Sequence, residues 1–275
     1  MPPEKFIDVK EIIRKKNPKL LKILPGFVIA LLKRLIHQNE VNRIIYDYRH
    51  LYGLDFVRSI LNDMRVSYSV TGLEEVPREG RYIFVSNHPL GGFDGLVLMD
   101  AIGSVFPEIR FIVNDILLNL KNFDPVFVPV NKHGRQSSGY ANKINETYSG
   151  TAQVLNFPAG LCSRKTKGKI ADPKWNKSFI QKAVQYRRDI VPVYFEGRNT
   201  AFFYRLANIR KALRIKANIE MTLLADEFFK QKGRHLRLVF GKPIPYTSFD
   251  KSKNYHQWAE TVRNTVYAAQ LKMGN

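Results

Sequence analysis

The amino-acid sequence predicts an α/β fold in which a mixed, largely parallel sheet is flanked by helices and preceded by an N-terminal amphipathic helical region. Two observations support this prediction. After residue 66, short runs rich in Val, Ile and Phe recur, as is typical of strands buried on both faces. Segments with helical periodicity separate those runs, so strands and helices alternate along the chain. We therefore predict an N-terminal helical region at residues 1–65 and a main domain at residues 66–275.

The N-terminal region is predicted to consist of helices with basic flanks. Asn17 and Pro18 are typical of an N-cap followed by proline at the first helical position. Apolar residues recur at helical spacing over residues 27–36, and a third helical segment is predicted over residues 40–64. Two interpretations stay open: a cap packed on the core, or an in-plane membrane anchor whose Lys and Arg side chains meet anionic headgroups.

The main domain is predicted to contain seven strands with helices between them. The strands are expected at residues 66–70, 82–86, 110–113, 126–130, 153–157, 190–195 and 236–240. The helices are expected at residues 95–104, 116–121, 140–148, 175–186, 202–215 and 255–272.

The charge balance is unusual. The chain has 44 Lys plus Arg against 24 Asp plus Glu, a formal net charge of +20. Such an excess predicts attraction to polyanions: nucleic acid, an anionic membrane surface, or phosphate-bearing molecules such as coenzyme A. The segment 131–188 is especially basic, and its Arg164–Lys169 run favours an anion-facing role over a merely solvated surface.

Cysteine content and hydropathy exclude several protein classes. The single cysteine, Cys162, rules out an intramolecular disulfide and a cysteine-based zinc site, and it is either a reactive thiol or a small buried filler. The charged N-terminus lacks the apolar segment of a signal peptide. The most apolar run, residues 23–32, is half the ~20 residues that a membrane span needs. We expect a protein that is cytosolic or lies on a membrane without crossing it.

The stretch around His88 is the first that indicates chemistry. A predicted buried strand runs into Asn87 and His88, a Gly91-Gly92 loop follows, and Asp94 stands at the predicted start of a helix. Open α/β sheets place active sites at the carboxyl ends of strands. A histidine held in one tautomer by a carboxylate is a general base, and the glycines let the backbone fold back. The alternative is an ordinary loop histidine beside a helix-capping aspartate. No Gly-x-Ser-x-Gly motif is nearby, so a hydroxyl nucleophile would come from the substrate.

This stretch resembles the signature of the glycerolipid and lysophospholipid acyltransferases of the 1-acylglycerol-3-phosphate acyltransferase type. That signature is Asn-His, four residues and Asp, whereas five residues separate His88 from Asp94 here. The variant Asn-His-Pro-Leu-Gly-Gly-x-Asp-Gly resembles a bacterial branch with haemolysin-like and ornithine- or glycine-lipid O-acyltransferases. The resemblance implies that family's α/β fold, with residues 66–275 as the acyltransferase domain.

Further blocks follow in the family's order. Residues 127–135 resemble the second block, 157–164 the third, 190–193 the fourth, and 241–244 the usual C-terminal strand ending. In the third block Ala159 replaces the usual Glu, which the family associates with the glycerol-phosphate acceptor. The resemblance implies His88 and Asp94 as catalytic residues. It implies substrate-binding roles for Asn87, Gly91, Gly92, Lys132, Arg135, Phe157, Pro158, Gly160 and Arg164.

The implied reaction is direct acyl transfer from an acyl thioester, acyl-carrier protein or acyl-CoA, to the hydroxyl of a lyso-lipid, without metal or cofactor. Backbone N–H groups of residues 89–93 or 157–160 are the expected oxyanion donors. Ala159 favours a lyso-aminolipid acceptor, whose carboxylate Arg135 and Arg164 can bind as well as a phosphate.

Two alternatives stay open. One is a 1-acylglycerol-3-phosphate acyltransferase of phospholipid synthesis, and the other is a non-catalytic basic protein that binds membranes or nucleic acid. No nucleic-acid-binding motif is present, so the expected partners are the acyl donor, the lyso-lipid and an anionic membrane surface. The expected location is peripheral, on the cytoplasmic face of the membrane.

Overall fold

A computed structural model describes residues 6–114, 120–130, 138–215 and 218–270, and it confirms the α/β class. In those ranges the α-helices are Val9–Lys16 (α1), Pro18–Ile23 (α2), Gly26–Leu35 (α3), Gln38–Asp47 (α4), Gly53–Asp63 (α5), Phe93–Gly103 (α6), Ser138–Ser149 (α7), Ser178–Tyr186 (α8), Ala201–Ala212 (α9), Leu224–Phe229 (α10) and Tyr255–Ala268 (α11). The strands are Ser67–Thr71 (β1), Tyr82–Ser86 (β2), Ile109–Asn114 (β3), Phe127–Val130 (β4), Gln153–Asn156 (β5), Arg164–Thr166 (β6), Lys169–Ala171 (β7), Asp189–Phe195 (β8) and His235–Phe240 (β9).

Seven strands form one mixed sheet in the order β1-β9-β8-β2-β5-β3-β4. The run from β8 to β4 is parallel throughout, β9 pairs antiparallel with β8, and β1 pairs parallel with β9. The predicted mixed, largely parallel sheet is therefore confirmed. Strand β2 lies at its centre, so whatever follows Ser86 emerges in the middle of the sheet's carboxyl edge.

Apolar burial explains the central position of β2. Ile83, Phe84 and Val85 are completely buried, as are Val154 on β5 and Ile190 on β8 beside them. Burying each such side chain stabilises the fold by ~1.5–3 kcal/mol. All five residues of β2 are buried, so both faces of the sheet are covered at this strand.

One helix prediction was wrong, and one hairpin was not predicted. The helix predicted over residues 40–64 is two helices, α4 and α5, because the chain turns at Tyr48–Tyr52 and Gly53 adopts φ +56°. The hairpin of β6 and β7 was not predicted, since its short, lysine-rich strands lack apolar alternation. Most of the helix predicted over residues 116–121 lies outside the described residues.

The chain divides into two compact units. One contains residues 1–51 and 199–232, and its described elements are helical; the other contains residues 52–198 and 233–275 and holds both sheets. In the first unit, His37 joins α4 to α10 through a 2.9 Å contact with Asp226 and a ring stack on Phe229. The domain boundary predicted at residue 65 stays a prediction. In the described parts of the chain, no helix has the length and apolar character that a bilayer span requires.

Arg188 is a buried cation that ties the sheet to helix α7. The sequence suggested only a member of a basic, partly anion-facing segment, but the side chain is 0% exposed. Its guanidinium donates hydrogen bonds of 2.6–3.4 Å to the carbonyls of Tyr82, Thr147, Tyr148, Gly150 and Ala152. Burial, together with the nearby charge of Arg81, lowers its pKa to about 10, which leaves it charged at neutral pH. It satisfies carbonyls at the C-terminus of α7, where a cation is favourable.

We expect Arg188→Met to lower the free energy of unfolding by about 4 kcal/mol, because several buried carbonyls lose a charged donor at once. Urea denaturation followed by circular dichroism measures the change. Arg187→Met is the matched control, since Arg187 is the adjacent arginine and is exposed. Equal stability of the two variants would contradict the assigned role.

Candidate active site

His88 lies just beyond the carboxyl end of the central strand β2 and is paired with Asp94. The distance between His88 Nδ1 and Asp94 Oδ2 is 2.9 Å, so the loop between them closes despite its five residues. The His88 side chain keeps 15% of its surface exposed, whereas Asp94 is fully buried. The predicted pairing of these residues is present, and its imidazole is reachable from solvent.

Asp94 also organises the loop that leads to it. Its Oδ2 accepts a 2.9 Å hydrogen bond from the Leu90 N–H, and its Oδ1 accepts 3.0 Å bonds from those of Gly92 and Gly95. Gly91 supplies a positive φ of +74°, which a residue with a Cβ adopts only at a cost. Asp94 stands inside the first turn of α6, where the helix dipole favours an anion.

These contacts determine the charge state of Asp94. Burial alone would raise the pKa of its carboxyl, but the charge and hydrogen bond of His88 and the N–H groups of Leu90 and Gly92 outweigh burial and hold the pKa below its usual value. An ionised Asp94 only accepts hydrogen bonds, so His88 Nδ1 carries the proton of the neutral ring. Nε2 is then the basic nitrogen of His88.

Phe157, which follows strand β5, fixes the plane of the His88 ring. The two rings stack with centroids 4.0 Å apart and an interplanar angle of 19°. Phe111 and Phe157 form a T-shaped pair with ring centroids 5.2 Å apart. A Cβ on Gly95 would lie 2.9 Å from Phe111 Cε1, which is too close, so a glycine at this position avoids a clash with the Phe111 ring. Phe157, predicted to bind substrate, is therefore in direct contact with His88.

A second buried carboxylate, Asp172, holds the backbone of the histidine loop. Its Oδ1 accepts hydrogen bonds from the His88 N–H at 3.1 Å and from Ser163 Oγ at 2.6 Å, and its Oδ2 accepts from Trp175 Nε1 at 2.9 Å. The Ser163 N–H in turn donates to the His88 carbonyl at 2.8 Å. Burial raises the pKa of Asp172 despite these donors.

Sequence reasoning missed Asp172 as part of this site. One signal was available: Asp172 and Glu146 are the two acidic residues set against the twelve basic ones counted in segment 131–188. An acidic residue is unusual in so basic a segment, and this could have marked Asp172 as a candidate site residue.

The other predicted site residues occupy different positions around His88. The Asn87 side chain spans the gap to β8, donating to the Phe195 carbonyl at 2.9 Å and accepting from its N–H at 2.7 Å. Residues Phe157–Gly160 form a turn closed by a 2.9 Å bond from the Gly160 N–H to the Phe157 carbonyl, and the Pro158 carbonyl accepts from Asn176. Lys132 and Arg135 lie outside the described residues. The substrate-binding roles of this whole group stay predictions.

Arg164 and Cys162 contact each other beside the third sequence block. Arg164 Nη1 donates to the Cys162 carbonyl at 3.0 Å and lies 2.9 Å from its Sγ. Burial raises the pKa of the Cys162 thiol to about 11, although Arg164 opposes the shift. Of the two interpretations of Cys162, the structure favours the buried filler, because a protonated thiol is a poor nucleophile.

The arrangement is suited to removing a proton from a bound hydroxyl. The His88 ring directs Nε2 away from Asp94, a carboxylate holds the opposite nitrogen, and an aromatic ring and a second carboxylate fix the ring plane and the backbone. In the described part of the chain, no three His, Cys, Asp or Glu side chains converge as metal ligands.

Comparisons with known proteins identify a family and two similar enzymes. The model of a protein family described as acyltransferase matches residues 11–274. A lyso-glycine lipid O-acyltransferase from Bacteroides thetaiotaomicron is 45% identical over 263 residues, which cover 95% of this chain and 97% of that protein. A lyso-glycine lipid O-acyltransferase from Phocaeicola vulgatus is 42% identical over 263 residues, covering 95% and 94%.

A solved structure is also similar. The crystal structure of the 1-acyl-sn-glycerophosphate (LPA) acyltransferase PlsC from Thermotoga maritima matches with a TM-score of 0.47 and 13% sequence identity, covering 90% of this chain and 96% of that one.

We expect Asp94→Asn to lower the free energy of unfolding by about 3 kcal/mol at neutral pH, because an amide satisfies the four donors poorly. The pKa of Asp94 is depressed in the folded chain, so its contribution is complete above the unfolded pKa of ~3.9 and is lost as the pH falls through the folded pKa. Denaturant titrations at a series of pH values should show the gap to the wild type narrowing below about pH 4.

Asp124→Asn, at an exposed aspartate, should leave stability unchanged at neutral pH. If the difference in the free energy of unfolding between Asp94→Asn and the wild type grew on acidification, the lowered pKa of Asp94 would be contradicted.

Proposed function

The chain belongs to this acyltransferase family, and on that premise we propose that it moves a fatty acyl group from an acyl thioester to the hydroxyl of a lyso-lipid, specifically a lyso-glycine lipid. The observation that carries the proposal is the 2.9 Å contact between His88 Nδ1 and the buried Asp94 at the carboxyl end of β2. The contact supports a role for His88 as an oriented base, and the 45% identity to a lyso-glycine lipid O-acyltransferase supports the acceptor.

In the proposed reaction, His88 Nε2 takes the proton of the acceptor hydroxyl as that oxygen attacks the thioester carbonyl. The tetrahedral intermediate collapses with cleavage of the carbon–sulfur bond, and the imidazolium returns its proton to the leaving thiolate. Asp94 stabilises the imidazolium and keeps Nδ1 protonated, so the same ring serves first as base and then as acid.

The oxyanion donors belong to the backbone near this ring. The N–H groups of Leu90 and Gly92 are directed at Asp94, and that of Gly160 is bonded to Phe157, so these three are committed to other acceptors. In the 89–93 loop and the 157–160 turn, we propose the N–H groups of Gly91 and Ala159 as the oxyanion donors.

The acceptor assignment depends on Ala159 and on three basic residues of the second and third sequence blocks. Ala159 is a small apolar residue packed against the core cluster of the sheet, at the position where the family usually has Glu. Without that carboxylate, an acceptor that itself carries a carboxylate meets no like charge there. We propose Arg135, with Lys132 and Arg164, as the groups that bind the acceptor headgroup.

The proposed location is a membrane surface, where a lyso-lipid acceptor is found. In helices α2 and α3, Ile23 and Phe27 are 78% and 74% exposed, and Lys33 and Arg34 follow in the last turn of α3. The proposed donor is acyl-carrier protein or acyl-CoA, both anionic. The exposed lysines of the β6–β7 hairpin, Lys165, Lys167 and Lys169, are the groups we assign to it.

We expect His88→Ala to lower kcat/KM for acyl transfer by ~10²–10⁴, the usual contribution of a general base. The assay measures transfer of labelled acyl groups from acyl-carrier protein or acyl-CoA to the lyso-lipid. His256→Ala, at an exposed histidine on α11, is the control and should retain full activity. Equal activity of His88→Ala and the wild type would overturn the mechanism.

We expect the purified protein to prefer lyso-glycine lipid over lysophosphatidic acid when both are offered. Ala159→Glu should lower kcat/KM for lyso-glycine lipid by about tenfold, because the introduced carboxylate repels the carboxylate of the acceptor. Ala159→Gln separates charge from size and should cost less. A preference of the wild type for lysophosphatidic acid would contradict the acceptor assignment but not the proposed acyl-transfer chemistry.

A further inference from the structure

Helix α9 is firmly anchored at its start. Thr200 caps it by accepting a hydrogen bond from the Phe203 N–H, and the Thr200 N–H donates to the buried Glu227 of α10 at 2.8 Å. Phe203, Tyr204 and Ala207 are buried on one side of the helix. These contacts fix how α9 is rotated and therefore which side chains face outward.

The outward side of α9 has a second apolar stripe. Phe202, Leu206, Ile209 and Leu213 follow one another at intervals of four, three and four residues, so they align along the helix. Phe202, Ile209 and Leu213 are 61%, 56% and 66% exposed, and Leu206 is half-buried between them. Scattered exposed apolar residues are ordinary, but a contiguous helical stripe marks an interaction surface.

The segment that carries this stripe has charges of a single sign. Residues 201–219 contain five basic residues and no acidic one. Arg210 pairs with the buried Glu220 at 2.8 Å and so holds the helix end in place. Arg205, Lys211 and Arg214 are exposed. Exposed basic side chains around a stripe of Phe, Leu and Ile are the composition of a helix that lies in a membrane interface.

We propose that helix α9 and its C-terminal turn dock on an anionic lipid bilayer, with Phe202, Ile209 and Leu213 entering the acyl-chain boundary and Arg205, Lys211 and Arg214 meeting headgroup phosphates. The positive charge decides between a lipid surface and a second copy of this chain. Two copies facing each other through α9 would oppose two groups of arginines and lysines, whereas anionic headgroups neutralise them.

This surface is separate in sequence from the N-terminal helices, although both belong to the unit formed by residues 1–51 and 199–232. It deepens the proposed function, on which it rests, because an enzyme whose acceptor is a lyso-lipid meets that acceptor in a bilayer. The proposed lipid contact thus lies in a segment that follows strand β8 and is remote in sequence from the N-terminus.

Vesicle binding tests the proposal without any catalytic turnover. The probe is vesicles of phosphatidylglycerol and phosphatidylcholine in equal parts, compared with phosphatidylcholine alone, in a co-sedimentation assay at low and high salt. The variant is Phe202→Ser with Ile209→Ser and Leu213→Ser, and we expect it to lose vesicle affinity by on the order of a hundredfold. The control is Tyr52→Ser with Tyr255→Ser, two exposed apolar residues of the other unit, and it should bind as the wild type does.

A charge variant and a reporter variant make the test sharper. Arg205→Ser with Lys211→Ser should weaken binding to the anionic vesicles by roughly tenfold or more and reduce its dependence on salt. Ile209→Trp should show a blue shift of tryptophan emission when vesicles are added, relative to the wild type. Circular dichroism and thermal unfolding of every variant establish that it is folded.

Unchanged vesicle affinity in the folded triple variant, or no emission shift for Ile209→Trp on sedimenting vesicles, would overturn the proposal. A change from dimer to monomer in light scattering, with unchanged vesicle affinity, would assign the stripe to a second copy instead. Equal wild-type affinity for neutral and anionic vesicles would overturn the assignment of anionic lipid. His88→Ala should bind vesicles like the wild type, so a failure of the proposed reaction is distinguishable from a failure of α9 docking.

Discussion

The hydrogen bond between His88 Nδ1 and Asp94 Oδ2 is the contact around which the site is organised. Asp94 is fully buried, and such a carboxylate is tolerable only when donors surround it. Leu90, Gly92 and Gly95 supply those donors from the backbone, so the loop conformation, the start of α6 and the tautomer of His88 are set together. Because one group satisfies all of them, a change at Asp94 affects the fold and the chemistry at once.

The parallel sheet brings the remaining parts of the site to this pair. Strands β2, β5 and β8 are neighbours and run in the same direction, so the residues that follow them meet at one edge. Phe157 after β5 stacks on the His88 ring, and Asn87 joins the ends of β2 and β8 through Phe195. The Asp172 carboxylate accepts a hydrogen bond from the His88 N–H. The Asp172 N–H donates to the Tyr267 hydroxyl of α11 at 2.7 Å. Ring and backbone are thus held by different elements.

The sequence was sufficient for the α/β class, all seven strands of the large sheet and the pairing of His88 with Asp94, because these depend on local apolar patterns and on residues close in the chain. The family suggested by the ordered blocks was also confirmed. What the sequence did not reveal depends on long-range contacts. The five carbonyls that accept hydrogen bonds from Arg188 come from residues distant in the chain, and so does the Asp172 carboxylate that accepts from the His88 N–H. The sequence likewise gives no sign that residues 199–232 group with residues 1–51.

The antiparallel pairing of β8 with β9 has a consequence for how this chain tolerates changes in length. Phe195 pairs with Leu238, and the Glu196 N–H donates to the Arg237 carbonyl at 3.0 Å, so the chain leaves and re-enters the sheet at one point. Residues 199–232 therefore lie within the connection between the two strands of a long β-hairpin. Loop-closure entropy grows only with the logarithm of length, and doubling a loop costs about 0.6 kcal/mol. A change of length between the packed helices of this excursion therefore leaves the pairing register of β8 and β9 intact at a small cost in loop-closure entropy.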